Sequence, residues 1–460
     1  MNKIQSLLAN TVLVKKIAIT FALLIACRLG SFLPVPGIDS DLAVSYFNSQ
    51  SGTGTNLFQT LDSFTGGAFS KLNVTALSVF PYITASIVLQ LLMTMVPSLQ
   101  REIKENPEHG RRKIGRWTRI FTLGLALVES AGLAKFALGI NQGVPGVISP
   151  YLLQFELLSY PFLFYAVTMI TVTTGTLILM WIGEQITEMG IGNGISLIIS
   201  ANILSTMPSA FARLISMLSL TSQSAGRISL IMFVILMILF VVIIAGTIQI
   251  TQAQRKIPVQ YSRRQVGFGT QSVASGSSHL PLKLNYAGVL PVIFANTLLL
   301  TASGMSRFFK TGLLGSASSI FSQEHPIGMS LYIFLIIFFS FFWTATQFNP
   351  VQIVSDMKKN GAFIPGVRQG KATISFLEET MVKITFFGSI ALAFIAVLPV
   401  LITRFFGIDH SIGHSFGGTS LLILVGVVLE TAKQIDSHLM MDRYQGFMRK
   451  KRLKSKKSTS

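Results

Sequence analysis

The side chains that could do chemistry in this 460-residue sequence are few and scattered. Only His410 and His414, among six histidines, have a four-residue spacing, and the glycines beside them favour a loop over a metal site. The apolar segments contain no serine–histidine–aspartate set, no HExxH, no phosphate-binding loop and no paired carboxylates. The single cysteine, Cys27, excludes a disulfide framework and a cysteine-rich metal site, and its apolar neighbours favour burial. The sequence predicts no catalytic centre, no metal and no cofactor.

The elements that would position any site are predicted to be membrane helices. Half of the residues are apolar, only 12% are charged, and the mean hydropathy is +0.60, which is outside the range of ordinary soluble domains. A spanning helix needs about 20 apolar residues. Ten segments meet this requirement, at 17–33, 74–96, 120–139, 162–181, 195–218, 228–250, 286–303, 329–348, 381–403 and 417–438.

The net charge of +19 is concentrated in alternate connections between these segments. One set carries +3 (1–16), +4 (97–119), −2 (182–194), +5 (251–283), +1 (349–380) and +7 (441–460). The other set carries −2 (34–71), −1 (120–161), +2 (205–227), +1 (301–328) and 0 (404–416). Basic residues in short loops mark the cytoplasmic side, so we expect both chain ends to be cytoplasmic.

Two basic connections, 251–283 and 349–380, are longer than turns. Alternation around Ile257, Val259 and Tyr261 predicts a short strand or hairpin, and the glycines and prolines around Arg368 predict a projecting turn. The two connections are either solvated basic loops or docking sites for an anionic partner, such as ribosomal RNA or an acidic protein face.

Polar residues are rare within the predicted spans. Glu129 is the only carboxylate expected well inside one, and such a residue is a functional candidate by default. The stretch 63–71 is too polar and too short to span, and taken alone it fits either an external surface loop or a short re-entrant element.

Eight segments in order along the chain resemble the SecY family of protein-conducting channels. They are GSFLPVPGI (30–38), FPYITASI (80–87), GRRK (110–113), WIGEQITE (181–188), GIGNGIS (190–196), HLPLK (279–283), FNP (348–350) and FGGTSLLI (416–423). The resemblance covers essentially the whole chain. It implies an all-α polytopic membrane protein, with ten transmembrane helices in two pseudo-symmetric five-helix halves around a central hourglass pore.

The resemblance also divides the chain. The N-terminal half would be 1–205, with a re-entrant plug at about 62–72, and an external hinge connection would follow at 206–227. The C-terminal half would be 228–440, with a basic cytoplasmic tail at 441–460. The plug residues implied are Ser63, Phe64, Thr65, Gly66, Gly67, Ala68, Phe69, Ser70 and Lys71.

Residue roles follow from the same resemblance. A ring of aliphatic side chains would line the narrowest part of the pore, formed by Val79, Ile83, Ile195, Ile199, Ile293 and Ile423. A lateral gate would open between the second and third helices and the seventh and eighth, with polar residues at Gln90, Glu129, Asn296 and Thr297. Where the family often has an amide on the third helix, this sequence has Glu129; gate hydrogen bonding and a structural pairing both remain open for it.

The implied function is the central channel of the Sec protein translocase, which conducts unfolded preproteins and releases transmembrane segments into lipid. Its implied partners are SecE-like and SecG-like membrane subunits, the SecA motor ATPase, the ribosome, preprotein signal sequences and membrane lipid. Arg255, Lys256 and Arg368 match positions that dock the motor or the ribosome. The resemblance implies no enzymatic activity and places the chain in a bacterial inner membrane.

Two other classes fit the sequence less well. A carrier of small solutes would need charged or ion-coordinating residues at the membrane midplane, and the spans hold few carboxylates. A lipid-handling or intramembrane enzyme would need a catalytic constellation, and the spans provide none.

Overall fold

A computed structural model describes ten stretches of the chain. They are residues 10–49, 56–96, 105–154, 156–157, 160–216, 218–219, 228–261, 278–308, 325–406 and 418–457. His410 and His414 lie outside the described residues.

Ten long helices cover the ten predicted spans within this part of the chain. They are α1 (Thr11–Gly30), α4 (Phe80–Met95), α5 (Pro107–Gly143), α7 (Phe162–Met189), α8 (Gly194–Ser216), α9 (Leu230–Gln252), α10 (Leu290–Phe308), α11 (Pro326–Gln347), α13 (Lys371–Phe406) and α14 (Gly418–Lys457). Among the described residues, six helical stretches are long and apolar enough to cross a membrane, and α4 and α10 contain shorter apolar helices. The prediction of a ten-helix polytopic membrane protein is confirmed.

Local sequence explains several helix starts. The side chain of Asn10 accepts hydrogen bonds from the backbone N–H groups of Val12 and Leu13, which caps α1. Proline occupies the first turn of α4, α5 and α11, where its missing N–H costs nothing. Along α9 the apolar side chains point in all directions and few are buried, as expected of a helix that faces lipid on most sides.

Several helix ends differ from the predicted spans. Helix α4 begins at Phe80 and not at 74, because Ser78 has a positive φ of 50° that helical backbone does not allow. Helix α8 extends to Ser216 with Pro208 inside it, close to the predicted span 195–218. Helix α14 continues through residues 441–457, and α5 and α13 begin earlier than their apolar segments do.

Four short helices lie between the long ones. They are α2 (Ser40–Ser49), α3 (Asn56–Thr65), α6 (Pro150–Leu153) and α12 (Pro350–Lys359). Strand pairs β1 (Glu156–Leu157) with β2 (Tyr160–Pro161) and β3 (Leu218–Ser219) with β4 (Ile228–Ser229) are only two residues long.

A three-stranded antiparallel sheet adds β structure to the expected all-α fold. Strand β5 (Gln254–Tyr261) pairs with β6 (Ser278–Lys283), which confirms the hairpin predicted from alternation around Ile257. Strand β7 (Ala362–Phe363) comes from the other long basic connection and pairs with the far end of β5. The two connections therefore form one folded unit over an apolar cluster that includes Ile257 and Leu282.

The turn between α7 and α8 joins parts of the chain that are far apart in sequence. Side chains satisfy three of its backbone N–H groups: Thr20 of α1 accepts from Ile191, Gln434 of α14 accepts from Gly192, and Thr187 accepts from Gly194. Beside it, Leu13, Ile191 and Leu439 form a small buried cluster. The turn thus binds the first and last long helices together.

The connection 182–194 is negatively charged, unlike the other connections of its set, and one of its two carboxylates forms an ion pair. Arg119 of α5 donates to both carboxylate oxygens of Glu184 on α7, at 3.1 and 2.7 Å. Two parallel N–H···O bonds are the preferred geometry of an arginine–carboxylate pair. Glu184 therefore joins two helices of the bundle.

Candidate functional site: a central aliphatic ring and its plug

The six residues predicted to form a pore ring lie in or against one large apolar cluster. Five of them are buried members of the cluster and Ile195 is half-buried against it, and the cluster also includes residues of α1, α7, α9, α11 and α13. Val79 and Ile83 are one helical turn apart at the start of α4, and Ile195 and Ile199 are one turn apart at the start of α8. Ile293 of α10 and Ile423 of α14 complete the set from the second half of the chain.

The predicted plug packs against the same apolar cluster. Phe64, at the end of α3, belongs to the same cluster, and its ring meets that of Phe80 edge to face with centroids 6.0 Å apart. On its other side Phe69 belongs to a second cluster and stacks on Phe136 of α5 at 5.9 Å. The segment is thus held between two apolar clusters.

The plug segment combines the end of a helix with a series of turns. Residues 63–65 end α3, and a chain of turns runs from Gly66 to Val79. Gly66 and Gly67 both have positive φ, of 70° and 85°, which favours glycine. Hydrogen bonds fix the turns: the Ser70 N–H donates to Asp62 Oδ1 at 2.8 Å, and the Phe69 N–H donates to Thr65 Oγ1 at 3.1 Å. Burial raises the pKa of Asp62, and the bond from Ser70 and the charges of Arg213 and Lys71 oppose that rise.

Asn73 anchors the far end of the plug. Its side-chain amide donates to the carbonyl of Ser31, and the Val74 N–H donates to the carbonyl of Leu33 at 2.9 Å. Asn73 is 2% exposed. The plug therefore returns to the turn that follows α1 before the chain enters α4.

The four predicted gate residues lie on three helices that meet. Helix α4 packs against α5 and α10, and α5 also contacts α10. Asn296 and Thr297 are buried on α10, where the Thr297 hydroxyl donates to its own helix at the carbonyl of Ile293, 2.8 Å away. Gln90 of α4 donates to Ser86 of the same helix at 3.2 Å.

Two of these gate side chains bury an oxygen without a partner. Among the described residues, neither Oε1 of Gln90 nor Oε1 of Glu129 accepts a hydrogen bond. Buried polar atoms without partners cost free energy, so these positions weaken the packing of α4 and α5.

The three predicted docking residues are exposed on the two connections that share the sheet. Arg255 and Lys256 are exposed on β5, and Arg368 is exposed in the turn that follows β7. Gly366 and Gly370 on either side of Arg368 have φ of 81° and 99°, and the Thr373 hydroxyl donates to the Arg368 carbonyl at 2.8 Å. We call the surface formed by Arg255, Lys256 and Arg368 the basic surface.

Sequence reasoning missed several residues around the plug. Arg28 contacts Gly66 and Asn202, which are 38 and 174 positions away in the sequence. The lone asparagine in the apolar α8 segment was the available signal. Hydrogen bonds between residues so far apart in the sequence cannot be predicted from the local sequence pattern.

The ten long helices of the described residues, with a non-spanning segment packed against the apolar cluster between them, are typical of a polytopic membrane channel. The SecY family model matches residues 73–432, and the chain belongs to the SecY family. It is 48% identical over 445 residues to the protein translocase subunit SecY of Chlamydia muridarum, covering 96% of this chain and 97% of that protein.

Two solved structures share the fold. A protein-conducting channel superposes with a TM-score of 0.62 at 19% identity, covering 92% of each chain. A SecY protein, whose plug domain stabilises the closed state of the translocation channel, superposes with a TM-score of 0.61 at 18% identity, again covering 92% of each chain.

Proposed function

We propose that the chain is the central channel subunit of a Sec protein translocase. It conducts unfolded preproteins across the membrane and releases transmembrane segments sideways into lipid. The observation that carries this proposal is the convergence of six aliphatic residues from both halves of the chain into one buried cluster, with Phe64 of the plug packed against it.

An aliphatic collar suits a passage for unfolded chains. A narrow apolar constriction excludes water and thereby blocks ions, and it forms no hydrogen bonds that would hold a passing backbone. Its side chains are shaped to pack loosely around many different residues in turn. The SecY protein of similar fold has a plug domain that maintains a membrane seal, which supports the same role for the segment around Phe64.

Cross-linking to a stalled preprotein tests the proposal. A photoreactive residue at Ile199 should form an adduct with a preprotein stalled during translocation. The matched control is Ile170 of α7, an isoleucine that is 66% exposed on the outside of the bundle. Equal yields from the two positions, or no adduct from Ile199, would exclude a passage through the ring.

The seam where α4 and α5 meet α10 is the proposed lateral gate. The contacts across it combine aliphatic packing with buried polar side chains, two of whose oxygens have no partner within the described residues. Interhelical hydrogen bonds in membranes average about 0.6 kcal/mol, so such a seam closes weakly. A sufficiently apolar signal sequence could then part it and move into lipid.

The basic surface is the proposed docking site for the SecA motor ATPase and for the ribosome, including its RNA. Clustered exposed cations attract an anionic partner over a Debye length and speed association. SecE-like and SecG-like subunits would cover part of the remaining apolar surface. In this scheme the chain itself catalyses no reaction, and the motor, translation or the proton-motive force supplies the energy.

The proposed location is a bacterial inner membrane with both chain ends in the cytoplasm. The basic connections support this orientation. In a Cys27→Ser background, a single cysteine at Gln369 should react with an impermeant thiol reagent only from the cytoplasmic side, and one at Leu33 only from outside. Labelling of Gln369 from outside and of Leu33 from the cytoplasm would mean the reverse orientation. The result of the cross-linking test at Ile199 does not depend on it.

A further inference from the structure

Arg28, in the last turn of α1, reaches the plug from the side. Its Nη1 and Nη2 both donate to the carbonyl oxygen of Gly66 at 3.4 Å, and Nη1 also donates to Asn202 Oδ1 of α8 at 3.3 Å. The guanidinium carbon lies 6.0 Å from the centre of the Phe32 ring. One side chain therefore links three parts of the chain: α1, the plug and α8.

Asn202, which accepts the hydrogen bond from Arg28, is itself buried and forms a further hydrogen bond. The side-chain amide of Asn202 donates to the Ser78 hydroxyl at 3.3 Å, and Asn202 and Ser78 are 5% and 2% exposed. Ser78 belongs to the turns between the plug and α4. The network thus runs from α1 through α8 to the base of the plug.

The backbone at Gly66 is shaped for this contact. A side chain there would collide with Arg28 Nη1 and would approach Ser205 Oγ to 2.9 Å and the Asn202 backbone to 3.2 Å. The positive φ of Gly66 also disfavours any other residue. The glycine therefore permits both the turn and the close approach of the guanidinium.

The partners of Arg28 are neutral. Within the part of the chain that the structure describes, no carboxylate forms an ion pair with it. Hydrogen bonds from a charged donor to carbonyl oxygens give direction and register, and water can replace a carbonyl when the partner leaves. Apolar contacts such as Phe64 with Phe80 hold the plug but do not fix its register.

We propose that Arg28 is the positioning residue of the plug, a clasp that holds Gly66 against α8 while the channel is idle and releases it when the plug moves. The proposal rests on the proposed channel function. The competing explanation is that Arg28 only joins α1 to α8 through Asn202, with the plug as a bystander.

A double-mutant cycle separates the two explanations. The open fraction of the idle complex would be measured in planar bilayers for wild type, Arg28→Ala, deletion of 63–71, and the combination. A clasp predicts that Arg28→Ala raises the open fraction about tenfold, which corresponds to losing one hydrogen bond at the weak end of the range for a charged donor. In the plug-deleted channel the same substitution should add nothing. Arg28→Lys, which keeps the charge but cannot bond two acceptors as a fork, should have an intermediate effect and carries the test if the alanine variant fails to assemble.

A second readout follows the plug without measuring conductance. In a Cys27→Ser background, a cysteine at Ser70 should react faster with an impermeant thiol reagent when Arg28 is also changed, whereas a cysteine at Leu33, which is 58% exposed, should react at an unchanged rate. Equal factors for Arg28→Ala with and without the plug, or an unchanged Ser70 rate, would overturn the clasp. If deletion of 63–71 leaves the idle channel tight, the sealing role of the plug fails instead, and the Ser70 rate still decides whether Arg28 holds it.

Discussion

The proposed ring and the proposed docking surface differ in burial and in charge. Ile83, Ile199 and Ile293 are at most 6% exposed and have apolar side chains, whereas Arg255, Lys256 and Arg368 are exposed and charged. The ring is built from four helices far apart in sequence, and the basic surface from two connections that share one sheet.

This difference predicts how each region responds to conditions. Contacts between aliphatic side chains act over a few ångströms and are insensitive to salt, so the ring should seal equally well at any ionic strength. Exposed charges act over about 10 Å at 0.1 M salt and are screened above it, so docking should weaken as salt rises. A change of salt concentration should therefore weaken docking at the basic surface without affecting the seal at the ring.

The largest effect is expected from hydrating the ring. Replacing Ile83, Ile199 and Ile293 together by Asn should raise the ion conductance of the idle complex at least about tenfold. One amide buried without a partner costs about 1–3 kcal/mol, so water should enter the constriction to pair with the new amides, and ions can follow the water. The same three positions changed to Val should stay tight. The measurement is single-channel current at low and high salt. If the assembled Asn variant were as tight as wild type, these residues would be ordinary core and would not form the seal.

An intermediate effect is expected at the basic surface. Arg368→Glu, and Arg255→Glu with Lys256→Glu, should each weaken ribosome or SecA binding about three- to tenfold at low salt, since exposed charge contacts contribute up to about 1 kcal/mol each. The control is Arg213→Glu, which reverses the charge of an exposed arginine in the last turn of α8, outside the basic surface. Binding measured across a salt series should converge for all variants. Unchanged affinity at low salt would leave these connections as solvated loops.

The smallest effect is expected at Glu129, which combines the burial of the ring with the polarity of the basic surface. Glu129→Gln keeps the shape and should change the hydrophobicity that a signal sequence needs for lateral release, by about threefold in the ratio of released to translocated segments. A graded series of signal sequences measures this ratio. Loss of assembly without a change of ratio would identify Glu129 as a structural pairing residue.

Local pattern and family resemblance explain different parts of the fold. The helices were predictable because each is a long apolar run, whereas the ring residues were named only through the resemblance. The start of α4 was not predictable, because the positive φ of Ser78 carries no signal in the local sequence. Strand β7 was missed because two residues carry no alternation, and its position depends on pairing with Gln260 and Tyr261, about a hundred residues earlier.

The ring positions and the contacts around them differ in what the sequence could supply. Resemblance supplied the six ring positions, which lie in or against one large apolar cluster, and the ring itself stays a prediction. It did not supply the neighbours of Arg28 or the partner of Glu184, because a side-chain hydrogen bond depends on the relative placement of whole helices.

The turn between α7 and α8 has a consequence for the order of biogenesis. The buried amide of Gly192 bonds to Gln434, which is synthesised 242 residues later. At a synthesis rate of about 5–20 residues per second, that interval is roughly 10–50 seconds. During this time water or a chaperone must satisfy the amide, and the end of the bundle where α1 begins stays unfinished. Synthesis of α14 supplies the missing acceptor, so this helix completes a contact to the turn between the fourth and fifth long helices of the described residues.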